Sequence, residues 1–105
     1  MGLRTLASGL LQSGAKVVYT VPTGRFATVN SIQIVNKAGS DCALDVVMRS
    51  AGAESHLTPS GFVLKANYKI EHDLPIGLNP GGYIKITCPI AGMTFVISGE
   101  ERTSE

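Results

Sequence analysis

Charged residues are scarce in this chain. Of its 105 residues, 16% are charged and 44% are hydrophobic, and the formal net charge is +1. An average soluble domain has about 25% charged residues, so this chain cannot present a broad basic field to nucleic acid or anionic lipid. A surface so poor in charge suits burial against other chains, and a net charge near zero weakens repulsion between copies. The composition therefore predicts a homo-oligomer with neither a nucleic-acid nor a membrane partner.

Aromatic residues and long apolar runs are also limited. The chain has no tryptophan, three phenylalanines and three tyrosines, too few for an evident row of glycan-stacking rings or a nucleic-acid platform. Tyr68 and Tyr83 are the residues that keep a carbohydrate-binding surface open as an alternative. No stretch reaches the roughly 18 apolar residues of a membrane span, and residues 2–15 lack the pattern of a signal peptide. We expect an intracellular product that folds in a reducing compartment.

Only two cysteines are present, and neither has CxxC-type spacing. Cys42 and Cys88 fall inside predicted strands, where a free cysteine behaves as a small hydrophobic residue. We therefore expect both to be buried, with a disulfide or a metal ligand as the alternative roles.

What the sequence does contain is alternation with a period of two. Residues 42–49 place Cys42, Leu44, Val46 and Met48 on one face, and residues 83–88 repeat the pattern, as half-buried antiparallel strands do. Further β-branched or aromatic segments predict strands at 16–21, 26–36, 61–66, 68–74 and 93–98.

Proline and glycine punctuate these segments and predict turns, not helices, between them. About seven or eight short strands at this spacing indicate an all-β protein, a single antiparallel β-sandwich with jelly-roll or immunoglobulin-like topology, over residues 16–99. The predicted core comprises Val17, Ile32, Ile34, Leu44, Val46, Met48, Ile70, Ile84, Ile86, Phe95 and Ile97.

The two ends of the chain differ from the middle. Residues 1–15 carry Leu3, Leu6, Leu10 and Leu11 among glycines and serines that disfavour a stable helix. The segment is predicted to be either an N-terminal arm that orders on a neighbouring subunit or an extra edge strand. Residues 100–105 are polar and are expected to form a flexible, solvated tail.

Two short groups of residues invite a catalytic or metal-binding interpretation. In Glu71-His72-Asp73, strand geometry points the carboxylates one way and the histidine the other, so they cannot close on one ion. Ser55 and His56 lack the Gly-x-Ser-x-Gly elbow that a hydrolytic serine needs. The loops at 22–25 and 79–82 lack a phosphate-binding pattern. We therefore predict a non-enzymatic protein, with no catalytic, cofactor-binding or metal-binding residues.

Residues 18–36, VYTVPTGRFATVNSIQIVN, and residues 78–86, LNPGGYIKI, resemble segments of small β-sandwich virion proteins of tailed bacteriophages. The resemblance covers residues 17–99. It implies a head decoration (cement) protein that binds across the seams between coat subunits and stabilises the capsid, or else a neck, tail or head-fibre component. A carbohydrate-binding host-attachment module on the same sandwich is the alternative from another class.

The resemblance also implies partners and a location. The partner would be the major capsid protein or another virion protein, the oligomer a trimer, and the location the capsid surface, after synthesis in the cytoplasm of the host bacterium. The residues predicted to contact partners are Leu3, Leu6, Leu10, Leu11, Tyr68 and Tyr83.

Overall fold

The regular secondary structure of the chain consists of antiparallel strands in the computed structural model, which describes residues 4–50, 52–58, 61–73 and 75–103. None of these residues belongs to a helix long and apolar enough to cross a membrane. The strands are β1 (Arg4–Leu11), β2 (Gly14–Thr20), β3 (Arg25–Asn36), β4 (Cys42–Ala43), β5 (Asp45–Arg49), β6 (Ser55–His56), β7 (Val63–Leu64), β8 (Lys69–His72), β9 (Ile76–Leu78), β10 (Tyr83–Cys88) and β11 (Met93–Thr103).

The strand pairs are nested along the chain. β5 pairs with β6, β4 with β7, β3 with β8 and β9, β2 with β10, and β1 with β11, all antiparallel. This is the pattern of one long hairpin. The hairpin is rolled up so that β11 also pairs with β3, and β10 with β5.

Rolling the hairpin gives two main sheets. Sheet A has the order β1-β11-β3-β8, with β9 beside β3, and sheet B has the order β2-β10-β5-β6. Strands that follow each other in sequence mostly change sheet, which is the double Greek-key order of a jelly roll. The predicted all-β sandwich is confirmed, and of the two topologies considered the strand order is that of the jelly roll.

The core lies between the two sheets and is built from the inward side of each strand. Of the eleven predicted core residues, eight are buried, and Met48 and Ile70 are half-buried against them. Each fully buried isoleucine contributes roughly 1.5–3 kcal/mol relative to exposure. The sequence missed several core members, namely Leu11, Tyr19, Val21, Ala27, Val29, Leu64, Leu78 and Met93.

Val17 was predicted to lie in the core, but it is 48% exposed. The register of β2 against β10 shifts between Ile84 and Lys85, so that Ile84 faces Tyr19 and Lys85 faces Val17. The extra residue reverses the alternation of β2. Val17 therefore shares the outward side with Lys85.

Residues 100–103, predicted to belong to a flexible, solvated tail, are instead part of a strand. Residues 104 and 105 of that predicted tail lie outside the described residues. Glu100, Glu101, Arg102 and Thr103 continue β11 and pair with β3. Glu101 accepts a hydrogen bond from the Tyr19 hydroxyl. These partners explain why charged residues extend a strand here. Near the other end of the chain, Arg4–Leu11 forms the edge strand β1.

Candidate assembly surfaces

The leucines predicted to contact partners lie on different sides of β1. Leu11 is 1% exposed and belongs to the core, so it is not available to a partner. Leu6 is half-buried against the core, and Leu10 is 51% exposed. The three differ because β1 pairs with β11 and its side chains alternate between core and solvent. Leu3 lies outside the described residues.

Over residues 5–10 of β1, 31–35 of β3 and 94–98 of β11, the outer face of sheet A carries no charged side chain. Beyond Gly99, β11 continues with the charged residues Glu100 and Arg102. On β11, Thr94, Val96 and Ser98 alternate with the buried Phe95 and Ile97 and so point away from the core. Residues directly opposite in neighbouring strands share a face, so the register extends this surface to β1 and β3. We call it the neutral face, and it comprises Thr5, Ser8, Leu10, Thr94, Val96, Ser98, Ser31, Gln33 and Val35.

Apolar side chains are exposed near the middle of the neutral face. Val96 is 39% exposed and is a diagonal neighbour of Leu10 across the β1–β11 pair. At the border of the face, Lys69 and Glu71 on β8 pair with each other, with Nζ and Oε1 3.4 Å apart. Lys69 and Glu71 therefore neutralise each other's charge at this border of the face.

Sheet B presents the opposite kind of outer surface. On β10, Tyr83, Lys85 and Thr87 alternate with the buried Ile84 and Ile86. Their cross-strand partners on β2, β5 and β6 share the outward side. We call this the charged face, whose three rows are Thr20, Tyr83 and Arg49, then Val17, Lys85, Val47 and His56, then Ala15, Thr87 and Asp45. Val47 is buried within this face.

Tyr83, predicted to contact partners, is held within the charged face. Its hydroxyl donates a hydrogen bond to Glu54, whose carboxylate also lies 3.2 Å from Lys85 Nζ. The hydrogen bonds from Tyr83 and Lys85 lower the pKa of Glu54, and the bond to Glu54 raises the pKa of Tyr83. The spacing of Tyr83 and Lys85 on one strand face was visible in the sequence, whereas Glu54 comes close only because of the fold.

His56 pairs with a carboxylate that the sequence did not suggest. Its Nδ1 lies 3.1 Å from Asp45 Oδ1, at an open groove of about 850 Å3. Ser55 faces Met48 and His56 faces Val47 across the β5–β6 pair, so the two side chains point to opposite sides. Ser55 and His56 are therefore not brought together.

Only one of the six aromatic side chains, that of Tyr68, is exposed. Tyr68 is 63% exposed, immediately before β8. Of the other aromatic residues, Tyr19 and Phe95 are buried, and the remaining three are half-buried. Tyr68 precedes a strand of sheet A and Tyr83 belongs to sheet B, so the two tyrosines do not form a row.

Within the part of the chain that the structure describes, no three histidine, cysteine, aspartate or glutamate side chains converge as a metal site would require. Cys42 and Cys88 are both free thiols and both buried, which confirms their predicted burial. Cys88 Sγ contacts the carbonyl oxygens of Gln12 and Ile90 at 3.4 Å, and burial raises the pKa of its thiol.

No protein-family model matches this sequence, and no curated protein is significantly similar to it. Among solved structures, the chain is similar to a pentameric capsid protein from metagenomic phage sequences, solved by iodide phasing, with 14% identity and a TM-score of 0.50 over 91% of this chain and 61% of that one. A second structure of a pentameric capsid protein from metagenomic phage sequences has 14% identity and a TM-score of 0.46 over 94% of this chain and 60% of that one. The chain spans about three fifths of the length of each. At 14% identity, the structural likeness to the first of these proteins shows a shared fold and nothing beyond it.

Proposed function

We propose that the protein is a non-enzymatic structural component of a phage virion, and specifically a decoration (cement) protein on the capsid surface. In this role it binds the major capsid protein across the seams between coat subunits. A protein that binds only the assembled shell stabilises it by mass action. The neutral face is the surface that makes this contact.

The fold supports a virion role by analogy. Jelly rolls occur in viral capsid proteins and in lectins, and a fold alone does not decide between such functions. The similar solved structure is a phage capsid protein. A carbohydrate-binding role would need a row of exposed aromatic or polar side chains on one sheet face, and among the aromatic residues Tyr68 alone is exposed. The virion role is therefore favoured over the carbohydrate-binding module.

The contrast between the two outer faces is the observation that carries the proposal. Charged residues are depleted at the centre of protein interfaces, and the neutral face has none, whereas the charged face has paired Asp45, Glu54, His56 and Lys85. Leu10 and Val96 supply exposed apolar area within it. The molecule is suited to lie with sheet A against the shell and sheet B toward solvent.

The size of the neutral face favours action as an oligomer. Three strands about 4.8 Å apart and about six residues long cover roughly 300 Å2. A stable interface needs about 800 Å2 from each partner. One copy alone would bind weakly, and several linked copies gain avidity. We propose a trimer, as the resemblance implies; a pentamer, the state of the similar capsid protein, is the alternative that the mass in solution distinguishes.

A matched pair of valine substitutions tests the role of the neutral face. Val96→Lys places a charge at its centre, and Val17→Lys places the same charge on the charged face. We expect Val96→Lys to weaken co-sedimentation with empty capsids of the parent phage by at least about tenfold, since burying an unpaired lysine is costly. Val17→Lys should bind as the wild type does.

Three results would contradict the proposal. The wild-type chain could fail to bind empty capsids, the two variants could bind equally well, or Val17→Lys alone could lose binding. A chain that binds isolated tails or necks and not heads would instead support the neck, tail or fibre alternative.

A further inference from the structure

The edges of the two main sheets are protected to different degrees. An edge strand exposes unpaired backbone N–H and C=O groups, and proteins block it with charge, proline, a bulge or short length. In sheet A, β8 carries Lys69 and Glu71, and β9 is three residues long and follows Pro75. In sheet B, β2 carries Lys16, and β6 is two residues long.

β1 is the exception among these edges. It is eight residues long, has no charged residue after Arg4 and contains no proline. Its register against β11 shifts between Thr5 and Ala7 and then runs without interruption from Ala7 to Leu11. Among the described strands β1 pairs only with β11, so one side of its backbone is open to another chain.

We propose that β1 pairs with β1 of a second copy of this chain, antiparallel and about a two-fold axis. Pairing between two edges requires that neither is blocked, and β1 is the long edge without a charge in its regular part. Two copies joined through β2 would bring Lys16 near Lys16, and like charges across a strand pair are unfavourable. When two copies of β1 pair over residues 7–11, no charged residue of one copy lies opposite a charged residue of the other, because this segment has none.

The proposed pair extends sheet A and enlarges its outer surface. With the axis perpendicular to the sheet, the neutral faces of both copies lie side by side, covering roughly 600 Å2. This approaches the area that a stable interface needs from each partner. An isologous contact joins two copies, or two rings, and does not set the order of a ring. The pairing is thus separate from the trimer or pentamer question and does not require that capsid binding be correct.

Ser8 offers a direct test because it is exposed on the outer side of β1 and lies between Ala7 and Leu11, where the register has no bulge. In a two-fold pair, Ser8 of one copy lies opposite or diagonal to Ser8 of the other, within reach of long side chains. Ser8→Lys and Ser8→Glu each place like charges together. A mixture of the two variants places opposite charges together.

The mass is measured by light scattering and native mass spectrometry over a wide range of concentration. We expect the wild type to have twice the mass of either single variant, with the dissociation constant of the pair raised at least about tenfold by each substitution. Mixing the variants should restore the wild-type mass, and native mass spectrometry should show equal numbers of the two variants in the restored assembly. Ala15→Lys, at an exposed position on β2, should leave the mass unchanged.

The proposal is overturned if both single variants have the same mass as the wild type. It is also overturned if the mixture of the two variants does not reach the wild-type mass. It is also overturned by a wild type that is monomeric at every concentration. Circular dichroism of each variant checks that the fold is intact. A wild-type chain that shows the doubled mass but does not bind capsids would count against the proposed function alone.

Discussion

Gly99 lies so close to Thr28 that a side chain at residue 99 has no room. A Cβ built on Gly99 would be 2.0 Å from the Thr28 carbonyl oxygen and 3.0 Å from the Thr28 carbonyl carbon. The approach occurs where β3 carries an extra residue between Ser31 and Val29, opposite Ser98 and Gly99. β1 has its own extra residue, Leu6, at the same level of β11. Gly99 therefore permits the close approach of β3 at its bulge.

Replacing Gly99 with alanine should destabilise the protein severely. The clash is with backbone, which no change of rotamer relieves, so we expect Gly99→Ala to lower the free energy of unfolding by about 3 kcal/mol or more. Gly9→Ala is the matched control, because its Cβ would meet only the Phe95 ring at 3.5 Å, an ordinary contact. Urea unfolding measures both. A loss in Gly99→Ala no larger than in Gly9→Ala would contradict the prediction.

Bulges mark the limit of what alternation in the sequence could predict. Residues 83–88 alternate without interruption, and they form β10 with the predicted bounds. An inserted residue reverses the alternation, which moved Val17 outward and made Val29 and Ile32 both face the core. Nothing in the local composition of β2 or β3 indicates where the extra residue falls, because the neighbouring strand determines it.

The neutral face could not have been predicted strand by strand. Each of β1, β3 and β11 shows uncharged outward residues in its own sequence, as Ser8, Gln33 and Val96 illustrate. That they share one surface depends on β11 lying between β1 and β3. The sequence predicted that β1 carries contacts, but it did not reveal that Leu11 is turned inward by pairing with β11.

Asn36 should be among the most sensitive polar residues of the fold. It is fully buried, and its side-chain nitrogen donates to the carbonyl oxygens of Ser40 and Leu64, both at 2.9 Å. Its side-chain oxygen accepts from the Ala38 N–H at 3.0 Å. Asn36→Ala leaves these groups without partners, and we expect a loss of about 3 kcal/mol in the free energy of unfolding.

Asn79→Ala provides the comparison for Asn36, because Asn79 is exposed in the turn before β10. Its effect should stay within about 0.5 kcal/mol, as is usual for surface substitutions. Chemical denaturation of both variants under the same conditions is the measurement. Equal losses would show that the buried amide does not organise the turn after β3.

The two cysteines should be unreactive in the folded protein. Both are buried, and the raised pKa of Cys88 keeps its thiol protonated and thus a weak nucleophile. We expect iodoacetamide to add no label under native conditions and two labels after denaturation, as counted by mass spectrometry. Labelling of the native chain at a rate near that of a free thiol would contradict the burial of these residues.

The contact between Tyr83 and Glu54 predicts a pH dependence on both sides of neutrality. The pKa of Glu54 is lowered in the folded protein by the hydrogen bonds from Tyr83 and Lys85. Its contribution to stability is therefore present above the ordinary carboxyl pKa and is lost as the pH falls through the lowered value. The pKa of Tyr83 is raised by the same hydrogen bond, so its contribution is present below the ordinary tyrosine pKa and is lost as the pH rises through the raised value.

Glu54→Gln should abolish the effect below neutrality and reduce the effect above it, because its amide oxygen can still accept the hydrogen bond but carries no charge and does not titrate. We expect the variant to lose less stability than the wild type between neutral and acidic pH, and the pKa of Tyr83, followed by its phenolate absorbance, to fall toward its ordinary value. Tyr68→Phe removes the exposed tyrosine from the titration and should leave the upward-shifted transition in place. If that transition disappears in Tyr68→Phe and persists in Glu54→Gln, the shifted residue is not Tyr83, and the contact with Glu54 does not control its ionisation.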